Sequence, residues 1–407
     1  MSDVLFPSGS RADRWPVYVV ALTLFLITSA VNLQAPLYTT YARASHLGAG
    51  AQTIAFACYV AGLVPTLIFL GGISDRFGRK RPLAIALLLT TVATAVPMNW
   101  PRLEALGAAR ILCGIATGLM AGSGTQFLVE LLGYRSAAST RAAVIVAAST
   151  SLGFGSGALA TGLCLLAAPS QQTPISYGAY IGCAVSGMVL LAMIRESSFS
   201  RSSSWLRLPV FVSGTLPYGI AIFIAWSASG MVIGLVPAAL SSHGHDAWTG
   251  FATFFVIATG LVAQPMARKL SPLSSLRIGM LLVPCGLTVL IAGVVLQSLP
   301  VLLIGAMLVG AASYGFTYCA GLAANTANAN DTNRARATSG YFLFAYSGFS
   351  VPVVASGLMA DRIGVNWTLW FFDGWIVIAT AMLALSMMAC WRQTMPASAS
   401  AVAVPEN

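Results

Sequence analysis

The charged residues of this chain are few, and two of them stand where an ionisable side chain could do chemistry. Only 8% of the 407 residues are Asp, Glu, Lys or Arg, and Arg110 and Asp373 lie inside long apolar stretches. A charge in such a stretch is costly and therefore suggests a function. Arginine binds anionic groups, and a carboxyl group can take up and release a proton. The pattern predicts that both residues serve coupling or substrate binding.

Both residues also have a structural interpretation. Arg110 could extend its side chain to the headgroups at the nearer membrane boundary. Asp373 could pair with a neighbouring helix near the outer interface, where Trp367, Trp370 and Trp375 fit an interfacial aromatic belt.

A third group of charges lies in "GGISDRFGRKRPL", residues 71–83. Its four cations could simply hold a loop in the cytoplasm, because positive residues are retained on that side. Asp75 needs another explanation, since acids contribute little to orientation. The stretch therefore indicates a specific contact made by Asp75.

The long uncharged runs between these residues must form the elements that hold Arg110, Asp373 and Asp75 in position. A helix of about 20 apolar residues crosses the hydrocarbon core, and lipid leaves no other way to pair the backbone of a single segment. We expect an all-α, polytopic membrane protein with twelve transmembrane helices. Pro36 should break the first helix near its outer end. The runs are 15–42, 44–74, 82–101, 111–129, 142–194 (two helices), 208–245, 247–267, 278–330 (two helices), 337–360 and 363–391.

The basic residues are distributed unevenly between the two sides. With both termini on one side, that side receives seventeen Lys and Arg, and the other receives Arg43, Arg102 and Arg362. The positive-inside rule then places both termini in the cytoplasm and the chain in the cell (inner) membrane. This asymmetry explains the formal net charge of +10, so nucleic-acid binding is not indicated. The seven cysteines are scattered singly, and neither a metal site nor a cofactor is expected.

Six predicted helices precede a Ser-rich basic stretch, and six follow it. We expect an N-terminal half at 1–194, a cytoplasmic linker at 195–208, and a C-terminal half at 209–407 with a short disordered tail. A fainter repeat links "GGISDRFG" (71–78) to "GLMADRIG" (357–364), which end helices on opposite sides of the membrane. Inverted repeats would produce this spacing, and a chance match of four positions is the alternative.

The stretch Gly71-x-x-x-Asp75-Arg76-x-Gly78-Arg79-Lys80 resembles the signature between helices 2 and 3 of the major facilitator superfamily. "RILCGIATG" (110–118) is similar to the R-x-x-x-G-x-x-x-G segment of helix 4 in that family. Gly114 and Gly118 lie four apart and would let another helix approach closely. The resemblance covers essentially the whole chain and implies two six-helix bundles, with a role for Arg110 in substrate binding or proton coupling.

The resemblance also implies a latch between the two halves. It places Asp75 against the N-terminus of helix 11, near Ser339 and Gly340, when the cytoplasmic side is closed. It pairs Arg79 with an acid at the end of helix 4, which Glu130 matches. We therefore expect a conformational latch of Gly71, Asp75, Arg76, Gly78, Arg79 and Glu130.

Two family features are missing. "SLGFGSGALATG" (151–162) keeps Gly153, Gly157 and Gly162 but has Ala158 where exporters carry a proline, and helix 1 has no acid. Both departures weaken the expectation of proton antiport. Helices 1, 4, 7 and 10 face the central axis in the family, so the expected cavity lining is Asn32, Gln34, Gln126, Trp226, Ser227, Tyr314 and Tyr318.

The sequence thus predicts a secondary active transporter that works by alternating access, and not an enzyme. The leading subtype is proton-coupled efflux of amphipathic compounds or metabolites, as in the drug and metabolite efflux permeases. Uptake of a small organic anion is an alternative, with Arg110 as its anchor. A non-transporting receptor or scaffold is another, although it would predict larger soluble loops. The expected partners of this monomer are a small-molecule substrate, protons and the lipid bilayer.

Overall fold

The fold is built from long apolar helices. The computed structural model describes residues 14–70, 77–133, 136–169, 171–195, 208–330 and 333–394. Within these ranges it contains twelve helices long and apolar enough to cross a membrane, and no strand. The predicted all-α fold of a polytopic membrane protein is confirmed. The helices are α1 (Trp15–Ala44), α2 (Ala49–Phe69), α3 (Lys80–Asn99), α4 (Leu103–Leu132), α5 (Ser136–Ala167), α6 (Ile175–Met193), α7 (Leu216–Ser242), α8 (Trp248–Ala267), α9 (Pro272–Val295), α10 (Leu299–Asn328), α11 (Arg334–Ile363) and α12 (Val365–Thr394).

The even number of helices returns the chain to the end where it starts. We call the end of the bundle that carries Arg14 and Thr394 the proximal end, and the opposite end the distal end. The turn between α1 and α2 and the turn between α11 and α12 both lie at the distal end. We refer to α1–α6 as the first six helices and to α7–α12 as the last six helices.

Three of the helices are interrupted. In α1 a 3-10 turn at Ala35–Leu37 separates two α-helical parts, as predicted from Pro36, which cannot donate a backbone hydrogen bond. In α7 the α-helix breaks at Leu235, just before Pro237. In α10 a π-helical turn runs from Ala311 to Thr317, a feature frequent at functional sites. The breaks in α1 and α7 occupy the same position in each set of six helices, because both fall in the first helix of a set, before its distal end.

Glycines determine where neighbouring helices touch. A Cβ atom added at Gly114 of α4 would lie 2.8 Å from the Leu63 nitrogen and 3.1 Å from the Gly62 Cα of α2. A Cβ at Gly118 would lie 2.7 Å from the Thr66 Cβ. The close approach predicted for Gly114 and Gly118 is therefore confirmed, and α2 is the helix that they admit.

Two helix pairs join the first six helices to the last six: α2 packs on α11, and α5 packs on α8. Near the distal end, a Cβ at Gly162 of α5 would lie 3.0 Å from the Gly250 Cα of α8. Gln52 of α2 is buried and donates from Nε2 to the Gly234 carbonyl, 2.9 Å away, at the break in α7. This amide thus satisfies a backbone carbonyl next to the break and joins the two sets of helices.

The packing of α4 on α2 gives a stability prediction. We expect Gly114→Ala to lower the apparent melting temperature of the detergent-solubilised protein, because the new Cβ overlaps the α2 backbone at a cost of about 1–3 kcal/mol. Gly107→Ala, on the same helix, is the control, since its Cβ would meet only Cys58 Sγ at 3.9 Å. Equal melting temperatures for the two variants would contradict the close contact.

Candidate functional site

Arg110 lies fully buried between three helices near the break in α1. Its exposed fraction is 0%, which rules out the interpretation that its side chain extends to the headgroups. Nη1 donates to the Val31 carbonyl of α1 at 2.6 Å. Nε and Nη2 donate to the Phe56 carbonyl of α2 at 3.3 and 3.2 Å. Arg110 therefore ties α4 to α1 and α2 through main-chain carbonyls.

Aromatic rings surround the guanidinium group. Its central carbon lies 4.7 Å from the ring centre of Tyr59, 5.2 Å from that of Phe56 and 5.9 Å from that of Tyr38. Such cation–π contacts are worth about 0.5–2 kcal/mol each. Among the residues that the structure describes, no carboxylate lies within ion-pair distance of Arg110. The positive charge is thus held by dipoles and rings.

Four aromatic side chains surround Trp226 of α7, and we call these five residues together the aromatic cluster. The Trp226 ring centre lies 5.2 Å from that of Tyr314, 5.3 Å from Tyr346, 6.0 Å from Phe349 and 6.5 Å from Phe342. Tyr314 belongs to the π-helical turn of α10, and the other three belong to α11. The indole Nε1 of Trp226 is buried and has no hydrogen-bond partner.

The aromatic cluster and Arg110 are neighbours. Phe56 connects them, because its ring centre lies 4.9 Å from Phe349 of the cluster and 5.2 Å from the Arg110 guanidinium carbon. The site therefore places a cation of the first six helices near an aromatic surface of the last six. Such a combination suits an amphipathic ligand with a planar apolar body.

The other five predicted lining residues divide into three groups. Tyr318 joins the edge of the aromatic cluster, with its ring centre 6.2 Å from that of Phe342. Asn32 and Gln34 instead hold helices together, since their amide nitrogens donate to the carbonyls of Phe154 (2.9 Å) and Ala93 (3.0 Å).

Two of the predicted lining residues make no side-chain hydrogen bond to another of the described helices. The Ser227 hydroxyl is buried and donates to the Phe223 carbonyl of its own helix at 2.6 Å. Gln126 is partly buried, and its amide oxygen has no hydrogen-bond partner.

The structure brings together two of the residues assigned to the latch. Arg79 Nε donates to Glu130 Oε1 at 2.9 Å, and both side chains are 15% exposed. Gly78 has φ +86°, a conformation that favours glycine. Gly71, Asp75 and Arg76 lie outside the described residues. The latch itself remains a prediction.

Asp373 lies away from Arg110, at the contact of α12 with α9. It is 6% exposed, and its Oδ2 accepts a hydrogen bond from the Thr288 hydroxyl of α9 at 2.8 Å. Oδ1 is buried and has no hydrogen-bond partner. The pairing agrees with the structural interpretation, while the free oxygen leaves room for a bound proton.

Several residues of the site were not predicted. Phe342, Tyr346 and Phe349 of α11 follow i, i+4, i+7 spacing, a signal present in the sequence. Helices 2 and 11 were left out of the expected lining, so Phe56 and Tyr59 were missed too. The π-helical turn that carries Tyr314 has no clear sequence signal.

Comparisons with known proteins agree with this architecture. A family model described as the Major Facilitator Superfamily matches residues 20–282. A POT family transporter solved with a thioalcohol-conjugated peptide is similar in fold, with a TM-score of 0.73 at 13% identity over 92% of this chain and 96% of that chain. The nucleoside transporter NupG gives a TM-score of 0.72 at 11% identity, over 92% of this chain and 99% of that chain. No curated protein matches this sequence.

The hydrogen bonds of Arg110 give a second prediction. We expect Arg110→Lys to destabilise the protein by about 1–3 kcal/mol, because an ammonium group cannot reach both carbonyls in the same way and leaves one buried without a partner. The control is Arg102→Lys, whose side chain is exposed. Thermal unfolding in detergent measures the difference, and equal stability of the two variants would contradict the assigned role.

Proposed function

Since the chain belongs to the major facilitator superfamily, we propose that it moves a small amphipathic compound with an aromatic or apolar body across the membrane by alternating access. The family and the fold indicate a membrane transporter, not an enzyme. The substrate class, the direction and the coupling are the proposed part.

One observation carries the substrate class, namely the aromatic cluster around Trp226. It lies on α7, α10 and α11, and its member Tyr314 belongs to the π-helical turn of α10. Buried aromatic faces bind planar apolar groups, and the unpartnered indole N–H is a donor for a polar group of the substrate. Together they supply the apolar surface and the few polar groups typical of a ligand site.

The movement in this proposal is a rocking of residues 1–194 against 209–407, with 195–208 as the linker and both termini in the cytoplasm. Alternating access needs contacts that exist in one state only. The Arg79–Glu130 pair lies at the proximal end, where it supports the expected latch with Asp75. The distal contact of Gln52 with Gly234 joins the two sets of helices at the other end.

For the coupling, we propose export in exchange for protons, with Asp373 as the proton carrier. Its buried carboxylate with one unpartnered oxygen supports this role, because a protonated carboxyl is less costly to bury than a charged one. Asp373→Asn should then abolish accumulation driven by a pH gradient and leave binding unchanged. Exchange of substrate at zero gradient, which needs no net proton movement, serves as the internal control.

A second candidate is uptake of a small organic anion. The observation that favours it is Arg110, a buried cation that has no carboxylate partner among the described residues. An anionic substrate would compensate that charge and would place its apolar body against Phe56 and the aromatic cluster.

Two fused-ring probes of opposite fixed charge separate the candidates. Purified protein in liposomes is assayed for flux of 2-naphthalenesulfonate and of N-methylquinolinium, with and without an imposed pH gradient. Cation flux driven by the gradient supports proton antiport of amphipathic compounds, and anion flux that depends on Arg110 supports the second candidate. Equilibration that ignores the gradient would contradict antiport, and no flux of either probe would contradict the proposed substrate class.

The aromatic cluster gives a third prediction. We expect Trp226→Ala to reduce transport of the ring probe that the wild type carries by about tenfold or more, since a stacking and hydrogen-bonding surface is lost. Trp367→Ala is the matched control, because Trp367 is 73% exposed on α12. Equal loss in both variants, or none in either, would argue against a site at Trp226.

A further inference from the structure

The distal end of α11 carries the sequence "GLMADRIG", residues 357–364, whose glycines and charges match the spacing of residues 71–78. The backbone agrees with this match. Gly78 and Gly364 are the eighth and last residues of the two segments, and both have φ +86°. The resemblance between the two segments thus extends from the sequence to the conformation of the last glycine of each.

Asp361 of this distal segment contacts the start of α2. Its Oδ2 accepts a hydrogen bond from the Gly50 backbone nitrogen at 3.0 Å. Gly48 precedes α2 and provides no side-chain cap. The first N–H groups of a helix lack partners within it and carry partial positive charge, which a carboxylate stabilises. Asp361 of the last six helices thus caps a helix of the first six.

Glycines on both helices make this contact possible. A Cβ at Gly50 would lie 2.5 Å from Asp361 Oδ2 and 2.9 Å from Leu358 Cδ2, and one at Gly357 would lie 2.7 Å from Thr53 Cγ2. The Cβ at Gly357 would also lie 2.8 Å from the Ala49 carbonyl oxygen of the α2 backbone, so a methyl group there would push α2 and α11 apart. The capping bond therefore forms only while the distal ends of the two helices are together.

Other bonds at the same end show that the distal side is closed in this structure. Arg43 Nη2 donates to the Ser241 carbonyl at 3.3 Å, and Gln52 Nε2 donates to the Gly234 carbonyl. Both join the first six helices to the last six, as Asp361 does. Two of these three bonds join a full charge to a helix terminus: Asp361 to the first turn of α2, and Arg43 to the last turn of α7.

We propose that Asp361, with Gly48, Gly50 and Gly357, is a distal latch that holds this end of the transporter closed. The inference rests on the proposed alternating access, and it gives that movement a second control point opposite to the one expected at Asp75. Distal opening must break the Asp361–Gly50 bond, so the side chain sets how often the distal end opens. Asp361 acts as a positioning residue and makes no contact with substrate in this role.

Distances between spin labels on the two halves test the latch directly. Cysteines at Gln171, in the distal loop after α5, and at Asn366, at the start of α12, carry the labels, and both positions are exposed. Pulsed electron resonance then reports the distal distance distribution in lipid nanodiscs. Asp361→Asn keeps the shape and removes the charge. Asp246→Asn is the control, since Asp246 lies at the same end, before α8.

We expect Asp361→Asn to raise the ratio of long to short distal distances by about two- to five-fold, the size of an exposed helix-terminus charge effect. Gly50→Ala should raise it too without changing any charge. Distributions for Asp361→Asn that match those of Asp246→Asn would overturn the proposal. The distance measurement needs no substrate. If neither 2-naphthalenesulfonate nor N-methylquinolinium were transported, the proposed substrate class would be wrong, and the distances would still test the distal latch.

Discussion

A backbone N–H or C=O group in the hydrocarbon core has no water to bond, so each must find its partner within the protein. This constraint keeps most of the chain in unbroken helices and makes each break informative. The breaks in α1 and α7 lie within buried helices, and Gln52 from another helix bonds the Gly234 carbonyl beside the second break. Arg110 likewise bonds to backbone carbonyls, because its guanidinium group donates hydrogen bonds to those of Val31 and Phe56.

Close approach of helices is the second requirement, and glycine meets it in two different settings. Within the first six helices, Gly114 and Gly118 bring α4 onto α2 in a contact that need not change during transport. Between the two sets of helices, Gly50 and Gly357 bring α2 onto α11, and the proposed alternating access requires this contact to open and close. A membrane helix pair gains little from the hydrophobic effect, so such contacts depend on packing and a few polar bonds. That balance allows a single carboxylate such as Asp361 to shift an equilibrium.

The sequence predicted the class, the twelve helices and the break at Pro36 because those features follow from local composition and from lipid as a solvent. It also nominated Trp226 and Tyr314, but as separate lining residues and not as parts of one cluster with α11. The contacts of Arg110 could not be predicted, since its partners are carbonyl groups that carry no residue signature. The repeat at 357–364 was visible as a pattern, and only the structure shows that Asp361 reaches α2.

The central claim is that transport requires the distal end to open and close. A reversible cross-link tests it most directly. Arg43→Cys and Ser242→Cys are exposed distal positions on α1 and α7, close to the Arg43–Ser241 bond, and a short bifunctional methanethiosulfonate joins them in a protein whose seven native cysteines are replaced. Flux of 2-naphthalenesulfonate and N-methylquinolinium is measured in proteoliposomes before cross-linking, after cross-linking and after reduction. We predict that the cross-link stops the flux and that reduction restores it. Equal flux in the cross-linked and reduced protein would contradict alternating access through this end.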